Sequence, residues 1–238
     1  MSQLGSPHLH LRSVGSTNDR ARELAAAGAP HGTLVSADHQ SSGRGRQGRE
    51  WVAPAGSSLL ISLLLREPPP LLALIAAVAV AEVCGPAAQI KWPNDILLGS
   101  AQAPAAKVAG ILCEARPQQD WAVVGVGLNA ALDLTLLPSE LSGRAATLGL
   151  RSEQRTQLLE RLVGSFEDAL AKPEPEILAR WQQRDALLGK EIGWREGELT
   201  ESGTALGVGA NGCLRVRRDD GLELELNAGE VHLTAPGS

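Results

Sequence analysis

Residues 57–84 read SSLLISLLLREPPPLLALIAAVAVAEVC, and this stretch decides the fold. Its first part, residues 57–65, is rich in leucine and isoleucine without clean alternation, which is typical of a β-strand buried on both faces. Its second part, residues 70–83, predicts a buried helix, because the apolar run is too short for a membrane span and contains Glu82. We therefore expect a sheet with at least one helix packed against it.

Before this stretch, the chain predicts two strands with a helix between them. Residues 8–14 alternate as a strand does, and residues 33–37 predict a second strand. Residues 18–27 have the composition of a helix that ends at a glycine and a proline. Ser16 and Thr17 stand where an N-cap is expected.

After this stretch, residues 107–114 and 121–128 predict an antiparallel pair of strands. The small residues of 99–106 predict a mobile loop in front of that pair. Helical spacing then predicts two helices, one after Ser152 and one with Pro175 in its first turn.

From residue 188 onward the pattern changes to short strands separated by turns such as Asp219-Asp220-Gly221. Five short strands in so few residues predict a small barrel. The predicted strands are 190–194, 204–208, 213–217, 222–226 and 230–233. We therefore predict two domains, residues 1–186 and residues 187–238.

Composition narrows the class of protein. A hydrophobic fraction of 43% and a charged fraction of 21% are ordinary for a globular chain, and the net charge of -5 argues against nucleic acid as the main partner. The N-terminus lacks the basic head and apolar run of a secretory signal. Cys84, Cys113 and Cys213 lack metal-site spacing, so we expect reduced thiols in a cytoplasmic protein.

The segment Gly43-Arg44-Gly45-Arg46-Gln47-Gly48-Arg49-Glu50-Trp51 is a cationic, glycine-rich loop. Its arginines are planar, permanently charged groups that suit carboxylate and phosphate, so the loop is suited to closing over a small anion. It matches G-x-G-x-x-G but is not followed by a helix, and Arg49-Glu50 replaces the Lys-Ser/Thr of a Walker A motif. A solvated charge run without function is the alternative interpretation.

Further motifs accompany this loop in a fixed order. They are Ser16-Thr17-Asn18 and Gln40 before it, and Lys91-Trp92-Pro93-Asn94-Asp95, Lys107-x-x-Gly110-Ile111-Leu112 and Gly125-Val126-Gly127-Leu128-Asn129 after it. In this order the motifs resemble those of biotin–protein ligases. The resemblance covers nearly the whole chain, although beyond residue 188 it depends only on the strand pattern and on Gly229-Glu230-Val231.

The resemblance implies an α+β fold: a central mixed β-sheet with flanking helices, as in class II synthetases, plus a C-terminal SH3-like β-barrel. It implies that biotin is activated with ATP and Mg²⁺ as biotinyl-5′-AMP and transferred to a lysine of a biotin carboxyl carrier domain. No DNA partner is expected, because only about a dozen residues precede the first motif, too few for a helix-turn-helix module. No membrane partner is expected either, because the longest apolar stretch is too short for a span. A homodimer through a sheet edge is possible in such enzymes. Gln47 departs from relatives that have another arginine there.

The resemblance also assigns candidate site residues. Lys107 and Arg46 are expected to be catalytic, because fixed cations must bring the biotin carboxylate to the α-phosphate. Biotin-binding residues are expected to be Ser16, Thr17, Asn18, Gln40, Arg44, Gly45, Arg46, Lys107 and Gly110. ATP-binding residues are expected to be Arg46, Arg49, Trp51, Lys91, Asn94, Asp95 and Asn129. Asp95 is also a candidate for binding Mg²⁺ or for accepting a proton from the acceptor lysine.

Structural explanations compete with several of these assignments. Ser16-Thr17-Asn18 is also a helix cap, Lys107 a strand-end surface lysine, Trp51 a loop anchor and Asp95 part of an Asx turn. Two other functions compete as well. A lipoate or octanoate transferase of the same broad fold would have an Arg-Arg and Gly-Gly-Gly loop, which this chain lacks. A nucleic-acid-binding protein would use the Gly-Arg loop, but an aromatic content of 3% argues against base stacking.

Overall fold

The computed structural model describes residues 4–100, 103–137, 141, 143–196, 199–227 and 231–233. Seven strands form one sheet in the order β1-β2-β3-β7-β6-β5-β4. The strands are β1 (His8–Leu11), β2 (Leu34–Ala37), β3 (Ser58–Arg66), β4 (Ala88–Lys91), β5 (Asp95–Ser100), β6 (Ala103–Arg116) and β7 (Trp121–Asn129). Strands β1 and β2 are parallel and the other neighbours are antiparallel, so the predicted mixed sheet is confirmed.

Helices cover both faces of this sheet. Helix α1 (Thr17–Ala26) packs on one face through its alanines, and the predicted buried helix, α2 (Leu72–Cys84), belongs to the larger core on the other face. The two later helices, α3 (Arg155–Leu170) and α4 (Glu174–Gln182), bury residues in that same core. Strand β3 is buried on both faces, as its leucine-rich sequence predicts. No helix in the described part of the chain is long and apolar enough to span a membrane.

The C-terminal residues form a second, five-stranded antiparallel sheet in the order β11-β10-β9-β8-β12. Its strands are β8 (Glu191–Glu196), β9 (Leu199–Val208), β10 (Leu214–Arg217), β11 (Glu223–Leu226) and β12 (Val231–Leu233). Buried side chains such as Ile192, Trp194 and Val216 join the larger core of the first sheet. The second sheet is therefore attached by a continuous apolar core. All three cysteines are free, as expected.

Three local features differ from the sequence predictions. Strand β1 ends at Leu11 instead of residue 14, and β4 and β5 were not predicted. Residues 99–100 and 103–106 belong to the β5–β6 pair and are not a loop, whereas residues 101–102 lie outside the described part. A side chain at Gly99 would lie 2.9 Å from the Cα of Ala105, so the small residues reflect close approach of two strands.

Candidate active site

Parallel pairing brings the first two motifs together. Beyond β1 and β2, the two segments continue side by side, and Ser42 donates its backbone N–H to the carbonyl of Gly15 at 2.9 Å. This places the start of α1 beside Gln40. Thr17 donates both its backbone N–H and its hydroxyl to Gln40 Oε1, at 2.7 and 2.9 Å. Ser16 occupies the N-cap position but makes no side-chain cap, so its hydroxyl is not used for helix capping.

Asn18 is 4% exposed and its amide is held by three groups of the protein. Its Oδ1 accepts from the hydroxyl of Ser62 at 2.5 Å, and its Nδ2 donates to Glu114 at 2.8 Å and to the carbonyl of Leu112 at 3.2 Å. Sequence reasoning missed both Ser62 and Glu114. The signals were a serine within a leucine-rich strand and a glutamate near the end of a strand that carries a motif.

Glycines form the floor of the site. Gly110 of β6 and Gly127 of β7 are paired partners, and Gly125 pairs with Ser62 of β3. A Cβ at Gly125 would overlap Asn18, and a Cβ at Gly127 would lie 2.5 Å from the indole of Trp51. The floor therefore has to lack side chains, because the side chains of the site lie directly on the strands.

The arginine loop is closed by its own backbone. Gly45 N–H donates to Arg49 O at 2.7 Å, and Trp51 N–H donates to Gly43 O at 2.9 Å. Between them, residues 46–48 form a 3-10 turn in which Gln47 takes a left-handed conformation with φ 55°. This compact turn holds the loop over the site and places the indole of Trp51 on the glycine floor.

A β-bulge points Lys107 toward the site. In strict alternation, residues three apart in a strand face opposite sides. The register between β5 and β6 shifts between Ile96 and Leu97, and a side chain at Gly110 would lie 3.1 Å from the Nζ of Lys107. That Nζ lies 2.6 Å from Asp95 Oδ1 and 5.5 Å from the centre of the Trp51 ring. Lys107 is thus part of the site and not an isolated surface lysine.

The turn between β4 and β5 is held from two sides. Asn94 donates its side-chain amide to Ile111 O at 2.8 Å, which attaches the turn to β6. Trp92 is buried and its indole N–H donates to Gly212 O, in the turn between β9 and β10 of the second sheet, at 3.2 Å. The C-terminal sheet therefore supports the turn that carries Asp95.

These elements enclose one cavity. Every predicted site residue except Asn129 lines it. Asn129 is 5% exposed, accepts from Ser58 at 3.2 Å and donates to Ala146 O at 3.0 Å, so both ends of its amide bind protein. The expectation that Asn129 contacts the nucleotide stays a prediction, because each end of its amide keeps capacity for a second hydrogen bond.

Charge in the cavity is mainly positive. The basic residues that line it are Arg44, Arg46, Arg49, Lys91 and Lys107, and the acidic ones are Glu50 and Asp95. Among the described residues, no group of three or more His, Cys, Asp or Glu side chains could hold a metal ion. Burial raises the pKa of the Cys113 thiol to about 12, so this neighbouring cysteine is a protonated thiol at neutral pH.

Comparison with known proteins gives a consistent result. Residues 11–130 match the model of the "Biotin/lipoate A/B protein ligase family". The chain is 34% identical to a biotin–[acetyl-CoA-carboxylase] ligase of Paracoccus denitrificans, covering 93% of this chain and 98% of that one, and 33% identical to the bifunctional ligase/repressor BirA of Bacillus subtilis, covering 92% and 72%. The fold is similar to that of the biotin protein ligase of Aquifex aeolicus in complex with biotin and ATP, with a TM-score of 0.76, 26% identity and coverage of 96% and 100%.

Proposed function

The chain belongs to the biotin/lipoate A/B protein ligase family, and from this premise we propose that it is an ATP-dependent biotin–protein ligase. The main support is the cavity itself. One end offers the neutral polar groups of Ser16, Thr17 and Gln40, and the other end offers Lys107, with the glycine floor between them. The arginine loop begins beside Gln40 and runs over the floor to Trp51, near Lys107. A ligand with a neutral polar head, an apolar body and a carboxylate fits this order.

Biotin has this chemistry. Its ureido ring pairs with hydroxyls and amides at the Gln40 end, and its bicycle lies along the glycine floor. Asn18 supports this end from the side, because its amide is already engaged with the protein. The carboxylate then reaches Lys107 and Arg46. Arg44 lines the same cavity, but its guanidinium is bound to Asp19, so its contribution is to hold the loop.

The first step joins two anions. A carboxylate oxygen of biotin attacks the α-phosphorus of ATP, the bond to pyrophosphate breaks, and biotinyl-5′-AMP forms. Lys107 and Arg46 lower the repulsion between carboxylate and phosphate, while Arg49 and Lys91 face the phosphates and Trp51 the nucleoside. Asp95 keeps the Lys107 ammonium in place at 2.6 Å.

Mg²⁺ would enter with the nucleotide. This ion is usually bound through one or two carboxylates together with phosphate oxygens and water. Asp95 lies at the phosphate end of the cavity next to Lys107, so it fits as the protein ligand that such an ion needs. Bound there, the ion would neutralise phosphate charge.

The second step consumes the adenylate. An amine of an acceptor lysine attacks the carbonyl carbon, the bond to AMP breaks, and the amine loses a proton as the amide forms. We propose that the acceptor is a biotin carboxyl carrier domain. Further parts of this proposal are that residues 187–238 form a separate domain, supported by the start of the second sheet at Glu191, and that the protein acts in the cytoplasm.

The function is tested by incubating the protein with ATP, Mg²⁺, biotin and a biotin carboxyl carrier domain. We expect the carrier to gain the mass of one biotinyl group. Without the carrier, we expect biotin-dependent exchange of pyrophosphate into ATP. The same assay with lipoate in place of biotin tests the alternative substrate. A carrier that stays unmodified while a known ligase modifies it in parallel would contradict the proposal, and exchange with lipoate alone would favour the other branch of the family.

The glycine floor provides a direct prediction. Gly125→Ala places a methyl group against Asn18, whose amide is fixed by Ser62 and Glu114, so the biotin end must deform. We expect biotin affinity measured by calorimetry to fall by about tenfold, with a loss of about 1–3 kcal/mol in unfolding free energy from overpacking.

The matched control is Gly164→Ala in α3, where nothing lies within 4 Å of the added methyl. It should leave biotin affinity unchanged and stabilise the protein by roughly 0.5–1 kcal/mol, because alanine is the better helix former. Native biotin affinity in Gly125→Ala would show that biotin does not use this floor.

A further inference from the structure

Glu114 lies outside the cavity yet connects three elements that form it. Its carboxylate accepts from Asn18 Nδ2 at 2.8 Å and from Arg22 Nη1 at 2.8 Å, and Arg44 Nη2 lies 3.5 Å away. Glu114 lies on β6, Asn18 and Arg22 both lie on α1, with Asn18 in the cavity wall, and Arg44 lies in the arginine loop. One carboxylate therefore contacts the biotin end of the cavity and the base of the loop that closes over it.

Asp19 completes a network of four charges. Arg44 Nη2 also donates to Asp19 Oδ1, and Arg22 Nη2 lies 3.5 Å from the same oxygen. The side chains of Glu114 and Arg22 are 25% and 30% exposed, and those of Arg44 and Asp19 are 39% and 41% exposed. Partly exposed ion pairs contribute little to folding stability. The network is therefore better suited to holding side chains in position than to stabilising the fold.

The orientation of Asn18 depends on this network. Glu114 accepts only from the amide nitrogen, so it keeps Nδ2 on its own side and turns Oδ1 toward Ser62 and the glycine floor. Without the carboxylate, Nδ2 keeps only the longer hydrogen bond to the carbonyl of Leu112, at 3.2 Å, so the amide is held less firmly. The guanidinium of Arg44 then keeps its ion pair with Asp19 but loses the one with Glu114. Both changes act at the biotin end and at the loop. Lys107, at the other end of the cavity, is untouched.

We propose that Glu114 is a positioning residue that couples closure of the arginine loop to the biotin end of the cavity, by holding Asn18 and Arg44 with one carboxylate. This inference rests on the proposed function. It predicts a specific separation of effects: biotin affinity and retention of the adenylate depend on Glu114, whereas the rate of the chemical step at saturating biotin does not.

The test is Glu114→Gln, which keeps the shape and one acceptor oxygen but removes the charge and replaces the other oxygen with a donor. We expect biotin affinity to fall and biotinyl-AMP release to accelerate, each by about tenfold, which is the usual size for a lost hydrogen bond to a charged group. Single-turnover adenylate formation at saturating biotin should change by less than about twofold, and the thermal midpoint should stay within about 2 °C of the native value.

Two further variants make the result decisive. Glu23→Gln removes the same charge from an exposed pair with Arg20 on α1, and it should behave as the native protein does. Arg44→Lys removes the guanidinium that contacts both Asp19 and Glu114. It should speed adenylate release with little change in the orientation of Asn18. Combined with Glu114→Gln, it should add little to that release, because the two changes break one shared contact.

Several outcomes would overturn the inference. Native biotin affinity and a native rate of biotinyl-AMP release in Glu114→Gln would show that the carboxylate does not position Asn18 or Arg44 for binding. If Glu114→Gln also slowed adenylate formation at saturating biotin by about tenfold, Glu114 would take part in the chemical step. If Glu114→Gln unfolded while Arg44→Lys released biotinyl-AMP at the native rate, the role of Glu114 would be purely structural. A native protein that forms no biotinyl-AMP would instead overturn the proposed function, and the two failures are distinguished by assaying the native protein first.

Discussion

Lys107→Ala is expected to slow single-turnover formation of biotinyl-AMP by about 10²–10³-fold, which is the usual loss when one preorganised charge-stabilising group is removed. The reason is position. Lys107 stands on β6, its ammonium is fixed 2.6 Å from Asp95, and the bulge points it at the end of the cavity where two anions meet. Biotin affinity should change much less, by about threefold at most, because the ureido end and the floor are unaltered.

Lys107→Arg should restore only part of the rate. The guanidinium is planar and larger than the ammonium, which lies 2.6 Å from Asp95 and 5.5 Å from the centre of the Trp51 ring. Lys172→Ala is the matched control, since Lys172 lies between α3 and α4, outside the cavity, and pairs at 3.5 Å with Glu176 of α4. The measurement is rapid-quench adenylate formation beside calorimetric biotin affinity. If Lys107→Ala forms the adenylate at the native rate, the catalytic assignment is wrong.

Arg46→Gly is expected to release biotinyl-AMP on the order of 10- to 100-fold faster, the effect of losing a charge-assisted contact. Arg46 lies in the 3-10 turn of the loop and lines the cavity beside Lys91 and Asp95. Adenylate formation should partly survive, because Lys107 on its strand is unchanged. The escaped adenylate should then label lysines of a bystander protein.

The measurement is release of labelled adenylate in a filter assay, together with mass spectrometry of a bystander such as serum albumin. Arg46→Ala should reproduce the effect, which separates lost charge from the flexibility of glycine. Arg20→Ala, which breaks only an exposed pair with Glu23, should retain the adenylate as the native protein does. Full retention by Arg46→Gly would mean that the loop closes without this arginine.

Much of the fold was predictable because local patterns dominate long elements. The leucine-rich strand, the buried helix, the β6–β7 pair and the C-terminal strands all stand near their predicted positions. The errors fall on short strands. Residues 88–91 and 95–100 surround a turn and have too few residues for periodicity to show, and the small residues after Gly99 are as typical of a loop as of two closely packed strands.

By itself, the sequence determined the residue types of the site and their order along the chain, because motifs such as the arginine loop or Lys-x-x-Gly consist of residues close together in sequence. It did not determine which side chains face one another, nor which of them are already hydrogen-bonded to other groups of the protein. The pairing of β1 with β2 joins Thr17 to Gln40, and a bulge points Lys107 toward Asp95. Asn129 makes two hydrogen bonds to Ser58 and Ala146, segments that its own motif does not contain. Glu114 has its role only because three side chains, two from α1 and one from the arginine loop, converge on it. Such convergence depends on strand register and packing, which local sequence patterns do not contain.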